Sequence, residues 1–343
     1  MKRIDPIILQ KILSQQLDLL RLEAGTRARV ERILRDLLRE LSGLLASEDL
    51  TAFGKARMNA LIREAAAAID NYYLRAQGEL DLTMLGVAKV QVSHTAAILN
   101  THFAAQLSVG LPTEKFIEKL VSNVLIQGAP SAEWWSRQSQ DTAFKFANAV
   151  RQGAIQGETN TQIVKRVREV MDVSASNARS LVHSSIQTVA NEARRETFKK
   201  NDDVVVGIEQ VSTLDGHTTE ICIAYDGAQW DLDGNPIGGN DLPYNGGAPR
   251  HWGCRSVEVP ITKTFKELGI DIPEPSRGER ASSEGPTSMT MTEYLNSRTK
   301  EQLDEQLGVG RAELFRSGVI TRSQLLDLRG NPLSLSQLQS KYL

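Results

Sequence analysis

The chain has 343 residues, of which 41% are hydrophobic, 24% charged and 5% aromatic, with a formal net charge of −2. This length allows two or three domains with sizeable cores, and the near-neutral charge gives no global reason to expect nucleic acid or an acidic partner. Two cysteines are too few for a disulfide framework and fit a reducing intracellular compartment.

The opening MKRIDPIILQKILSQQ is basic, but Asp5, Pro6, Gln10 and Lys11 interrupt any apolar core, so it does not read as a signal peptide. No apolar run approaches the length needed to span a bilayer, and no membrane partner is expected. Residues 1 to about 200 read as helix after helix. Val30, Ile33, Leu34, Leu37, Leu38, Leu41, Leu44 and Leu45 fall at steps of three and four on one face, opposite Arg32, Arg35 and Arg39. Further periodic segments lie at about 52–78, 81–106, 113–126 and 131–156, with Gly128, Pro130 and the Gly157–Asn160 stretch as breaks. A last long helix is expected from about 175 to 200, with Ser174 as its N-cap and Ala178, Leu181, Val182, Val189, Ala190 and Ala193 on its apolar face. The fold expected is mainly α: an extended or bundled helical region over 1–130, then helices over 131–200 that lead into a different kind of module.

Composition changes after Lys200. Between Asn201 and Arg250 there are eight glycines and nine acidic residues against one basic residue, Arg250. Val204–Val206 with Ile208, Gln229–Trp230 and Val257–Val259 read as short strands, and Asp231–Asn235 and Asn245–Gly247 as turns. Residues 201–262 thus form a small Gly-rich α+β module. Pro, Gly and Ser in PEPSRGERASSEGPTS mark a linker over 263–290, and 291–343 is a helical tail.

The densest chemistry is Cys222, His251 and Cys254, with Asp215 and His217 just upstream. Thiolate and imidazole suit zinc, which favours four such ligands in a tetrahedron; His217 or Asp215 would be the fourth. The usual Cys-x2-Cys half-site is absent, because Thr219 stands three before Cys222 and Ser256 two after Cys254. Two thiols and an imidazole packed in a small core, or a Cys222–Cys254 disulfide, account for the same residues. A thiol hydrolase has its inventory in Cys222 or Cys254, His251, and Asp215 or Asp226, but no nucleophile signature surrounds either cysteine, and no catalytic residue is assigned. The Asp231–Asn235 run opens like a calcium loop and then fails, with Pro236 and Leu242 where Gly and Glu belong. Basic residues concentrate between Arg151 and Lys200, nine against five acidic ones. Lys165, Arg166, Arg168, Arg194, Arg195, Lys199 and Lys200 are the candidate contacts to double-stranded DNA, against a solvated helix face with ion pairs. Trp134–Trp135 reads as a helix anchor.

The stretch STLDGHTTEICIAYDGAQW from Ser212, followed by PRHWGCRS from Pro249, resembles the minor head proteins of tailed bacteriophages, the head-morphogenesis family typified by the F protein of phage Mu. Asp215, Thr218, Cys222, Asp226, Gly227, His251, Cys254 and Arg255 match its signature in order. The helix ending ANEARRETF, Ala190 to Phe198, is similar to the one that precedes the signature, and the tail to one that some members carry. Some members have further cysteines that would fall at Thr219 and Ser256 here. The resemblance implies a structural role in the virion, in the head interior or at the portal vertex, after assembly in the host cytoplasm. Partners would be the portal protein and the major capsid or scaffolding protein, with a part in DNA packaging or ejection. Arg255 would be a structural cation, its guanidinium donating to carbonyls or to a neighbouring carboxylate such as Asp226. A DNA-binding accessory ejected with the genome, and a thiol-dependent enzyme, remain as the other readings.

Overall fold

A computed structural model describes residues 5–47, 55–102, 109–268, 280–282 and 285–343. It has a mainly α architecture with a small mixed module, in the order α1 (Pro6–Ala46), α2 (Lys55–His102), α3 (Glu114–Asn123), a hairpin of β1 (Leu125–Ile126) and β2 (Ala129–Pro130), α4 (Ser131–Ile155) and α5 (Asn160–Lys199). Then come β3 (Val205–Val211), α6 (Glu220–Tyr225), β4 (Gln229–Trp230), β5 (Pro236–Ile237) and β6 (Val257–Thr262). A second hairpin, β7 (Arg280–Ser282) and β8 (Gly285–Thr287), falls in the segment expected to be a linker; 269–279 and 283–284 lie outside the described residues. The last elements are α7 (Met291–Ser297), α8 (Lys300–Leu307), α9 (Val309–Arg316), a 3-10 turn (Arg322–Leu325) and α10 (Leu335–Tyr342).

The chain divides into two compact units. One comprises Leu20–Val87 and Glu118–Val189 and is built on stretches of α1, α2, α4 and α5. Its buried positions share one rhythm. In α1 they run Thr26, Val30, Leu34, Leu37, Leu41, Leu45, and in α2 Leu61, Ala65, Ile69, Tyr73, Ala76, Leu80, Met84, Val87. Steps of four, four and three repeat every eleven residues, about 3.67 per turn, so the stripe stays almost parallel to a straight helix axis. That stripe explains two departures from the sequence expectation. Helix α2 does not break near 78–81, because Ala76, Leu80 and Met84 carry the buried face through it. Ser174 is not an N-cap but a core position of α5, between Met171 and Ala178, and its hydroxyl donates to Val170 O at 3.0 Å.

Inside this unit a polar chain crosses three helices. Tyr73 Oη lies 2.9 Å from Thr142 Oγ1, which lies 2.9 Å from Ser174 Oγ. Trp135 meets the Tyr73 ring edge-on at 6.0 Å and so anchors a helix contact, whereas Trp134 donates its indole N–H to Ile126 O and ties α4 to the β1–β2 hairpin. Tyr73→Phe removes one buried hydrogen bond while leaving Thr142 and Ser174 paired with each other. The expected loss is about 1 kcal/mol, measured as a shift in the urea midpoint. A turn at Gly157, whose φ of +67° suits glycine, separates α4 from α5.

By length and composition α2 meets the requirement for crossing a membrane, contrary to the expectation that no such run exists. Its apolar window has a mean hydropathy of 1.3, and half of that window is buried inside the protein, as in a core helix.

The other unit comprises Met1–Leu19, Ala88–Ile117 and Ala190–Leu343. An antiparallel sheet of order β5-β4-β3-β6 is its centre, with β3 and β6 in register from Val211↔Val257 to Gly207↔Ile261 and a one-residue shift before Val205↔Thr262. Its apolar face and Trp230 pack with Ile8 and Ile12 of α1, Ile98 and Leu99 of α2 and Phe198 of α5. The expected hairpin at Asp231–Asn235 is present: Asp231 Oδ1 accepts from the N–H groups of Asp233 and Asn235 at 3.0 and 2.8 Å. A second core joins the tail to the module, with Leu214 and Ile223 packed among Met291, Leu303, Leu307, Leu314, Leu325 and Leu338.

Candidate metal centre

Cys222 sits in the six-residue helix α6, and His251 and Cys254 in the turn that leads into β6. Cys254 N–H donates to His251 O at 3.1 Å, so this turn sets the x-x spacing of the pair. Two hydroxyls tie the pieces together: Ser212 donates to Cys222 O at 2.9 Å and lies 3.0 Å from Ser256 Oγ. The three donor atoms then converge. Cys222 Sγ is 3.4 Å from Cys254 Sγ and 3.2 Å from His251 Nε2, and all three lie within 4.8 Å of one another. The two thiols are buried and are not joined in a disulfide. On its far side the imidazole donates Nδ1–H to Trp252 O at 2.9 Å.

The thiols share their charge unequally. Cys254 is held well below the ordinary thiol range by its hydrogen bonds from Cys222 and His251. Cys222 is pushed well above that range by the bond to Cys254 and by burial. His251 is raised, first through its hydrogen bond with Cys254. The centre therefore concentrates negative charge on one sulfur with a second thiol and an imidazole against it, a donor set suited to a soft or borderline divalent cation.

Neither expected fourth ligand joins the three donors in this arrangement. Asp215 is taken by Arg255, whose two terminal nitrogens meet its carboxylate at 2.6 and 2.8 Å. It also accepts from His217 N–H at 3.0 Å. His217 has an exposed side chain on the wall of a small open-sided cleft beside the thiols. Thr219 Oγ1, 2.9 Å from His251 Nε2, occupies the approach from α6. The partner of Arg255 is thus Asp215 and not Asp226. Asp226 instead accepts Ser212 N–H at 2.8 Å and lies 3.8 Å from the Arg322 guanidinium. Gly227 follows at φ +75°, the left-handed backbone that turns α6 into β4, and Thr218 donates its hydroxyl to Thr213 O at 2.7 Å.

Burial by itself raises the Asp215 carboxyl, but Arg255, the His217 N–H and the Thr218 hydroxyl together hold it below the ordinary range. A depressed carboxylate contributes stability that is complete above its unfolded value of about 3.9 and is lost as pH falls through the folded value. Asp215→Asn should therefore cost about 1–2 kcal/mol at neutral pH, discounted for the partial exposure of Arg255. The gap to wild type should close in acid below about pH 4, read from denaturant midpoints across the range.

The candidate DNA contacts divide differently from expectation. Arg194 is fully buried, hydrogen-bonded to Asn191 and Gln91 at 3.0 and 3.3 Å, and burial pulls its guanidinium down to about 10. Arg195 is spent on Tyr244, Gly246 O and Glu192. Arg166 is engaged by Glu158 and Gln156, and Lys199 pairs with Glu196. Lys165 and Arg168 stand on exposed positions of α5, and Lys200 is exposed in the turn that follows it. Desolvation and pairing decide which cations remain for a ligand, and charge counting along the helix cannot see either.

A set of residues that spacing did not single out holds α5 to the module. Glu258, buried in β6, accepts from Tyr244 Oη at 2.9 and 3.0 Å and from Ala248 N–H at 2.9 Å. Its own N–H donates to Asn191 of α5 at 3.2 Å. Arg250 donates to Gln210 at 2.5 Å and lies over the Tyr225 ring at 3.4 Å. The available signal was a lone acid between two valines in a short apolar strand, which implies a buried counter-charge.

Residues 144–259 match the family model described as Phage Mu protein F like protein. This segment is similar to Mu F-like proteins. The family is one of bacteriophage head morphogenesis, and the matched third of the chain starts within α4, takes in α5 and the whole thiol–imidazole centre, and ends in β6. No curated protein and no solved structure matches the chain. Within the matched segment Asp215, Thr218, Asp226 and Arg255 are used in holding turns and strands together, while Cys222, His251 and Cys254 face one another.

Proposed function

We propose that this chain is a minor head protein of a tailed phage, residing in the virion and acting in head assembly through contacts with the portal protein at its vertex. The observation that carries this reading is the match of residues 144–259 to the Mu F-like family, in which Asp215, Thr218, Asp226 and Arg255 are engaged by internal hydrogen bonds. That internal use of charged and hydroxyl side chains agrees with a role in assembly. The major capsid and scaffolding proteins are the alternative contacts on the same particle.

The test is co-expression with the portal, scaffolding and shell proteins of the same genome, followed by purification of heads. Co-purification with portal alone supports the vertex contact; capture only by shell or scaffold moves the contact, and absence from heads overturns the reading. DNA packaging or ejection is the second reading, and it is weakened by the internal use of Arg166, Arg194 and Arg195. If it holds, Lys165, Arg168 and Lys200 carry it, and affinity in a gel shift falls steeply with added salt.

A further inference from the structure

We propose that Cys222, His251 and Cys254 bind one zinc ion, with solvent from the adjacent cleft as the exchangeable fourth ligand. Tetrahedral zinc with ordinary bond lengths needs sulfur–sulfur and sulfur–nitrogen separations of about 3.8 and 3.6 Å. The observed separations are 3.4 and 3.2 Å, so the donors reach the required geometry by moving apart a few tenths of an ångström. The imidazole is already turned for it. Its Nδ1–H is committed to the Trp252 carbonyl at 2.9 Å, which leaves Nε2 facing the sulfurs, the outer-shell arrangement found around metal-bound histidines.

The fourth position follows by elimination from the neighbours. Asp215 is held by both nitrogens of Arg255, Thr219 offers only a neutral hydroxyl, and the His217 side chain is exposed across the cleft. The cleft wall is therefore the open side of the tetrahedron. Coordination sends the remaining thiol proton to solvent, and two thiolates balance the dication. Mechanically the ion would tie α6 to the turn before β6, two elements that are otherwise joined here by the Ser212 and Ser256 hydroxyls. This inference is independent of the head-assembly reading: a metal-free protein that still enters heads removes only the metal.

The experiment uses the full chain purified under reducing conditions. Metal analysis should give one zinc per chain, reduced at least tenfold in Cys222→Ser and in Cys254→Ser, with folding of each variant checked by circular dichroism. Replacing zinc by cobalt should give intense visible bands of tetrahedral type and a thiolate-to-cobalt charge-transfer band, and added imidazole should shift the visible bands as it displaces solvent. His217→Ala should keep full zinc and the same spectrum; a loss of metal there overturns the solvent ligand in favour of His217. A folded wild-type chain that carries no zinc and gives no cobalt spectrum overturns the site. So does stoichiometric zinc in Cys222→Ser, or a Cys222–Cys254 disulfide in the reduced preparation.

Discussion

Glu258→Ala should lower stability by about 3–5 kcal/mol, the cost of removing one partner from a buried ionic network. The carboxyl is 1% exposed, and burial holds its proton affinity above the ordinary range although Arg195 and Arg250 pull the other way. Alanine takes away the counter-charge and leaves both guanidiniums in the same dry surroundings. It also strands the Tyr244 hydroxyl and the Ala248 N–H, each of which donates to that carboxylate. The lost methylene packing is the smaller effect, worth about 1 kcal/mol. Urea unfolding followed by tryptophan fluorescence reports the change directly, since Trp230 lies beside Tyr244 with ring centroids 5.5 Å apart.

The double variant Glu258→Ala with Arg195→Met separates charge from packing. If the unpaired guanidinium is what costs, the second substitution recovers part of the loss, and the two effects are far from additive. Additive effects, or a loss below about 1 kcal/mol for Glu258→Ala alone, would show that Arg195 finds solvent or Glu192 once the carboxylate has gone. Glu258→Gln should fall in between, because it keeps the acceptor oxygen for Tyr244 or Ala248 and forfeits only the charge.

Local pattern carried the helices, the strands and the three donors, because each rests on signals a few residues apart. The β3, β4 and β6 runs were visible as short apolar stretches between Gly-rich turns, and Cys222, His251 and Cys254 stood out as rare residue types. What pattern could not supply were pairings between elements distant in sequence. Arg255 could choose among nine acids between 201 and 250, and its choice of Asp215 depends on the Asx turn at His217 and on where β6 begins. Ser174 looked like an N-cap because serine favours that position. An eleven-residue stripe running from Ile163 to Val189 shows why the helix passes through it. The tail was legible in another way: Thr290-x-x-Glu293, Thr299-x-x-Gln302, Thr321-x-x-Gln324 and Ser334-x-x-Gln337 are capping boxes. They define where its short helical pieces start and say nothing of what those pieces pack against.

A chain ending at Ser288 should lose much of the order of the thiol–imidazole centre, although it keeps the whole Mu F-like segment 144–259. Leu214 and Ile223 are fully buried by the tail core, and exposing such side chains costs about 1.5–3 kcal/mol each. The tail also bonds the module's backbone. Gln306 donates to Asp215 O and Thr218 O at 2.8 and 3.1 Å, and Arg322 donates to Ile223 O at 3.1 Å and to Asp226 O. These carbonyls flank Cys222 on both sides, so their release loosens α6 and with it one of the three donors. Amide hydrogen exchange over 213–227 should speed up by at least tenfold in the shortened chain, while amides of the Leu20–Val87 helices keep their protection. Unchanged exchange over 213–227 would mean that the sheet and the Ser212 and Ser256 hydroxyls hold α6 unaided. Arg322→Ala in the full chain gives the finer control. It removes the bonds to the α6 carbonyls and keeps Leu325 and Leu338 in place, so a large effect from it assigns the clamp to the guanidinium, and a small one to the apolar core.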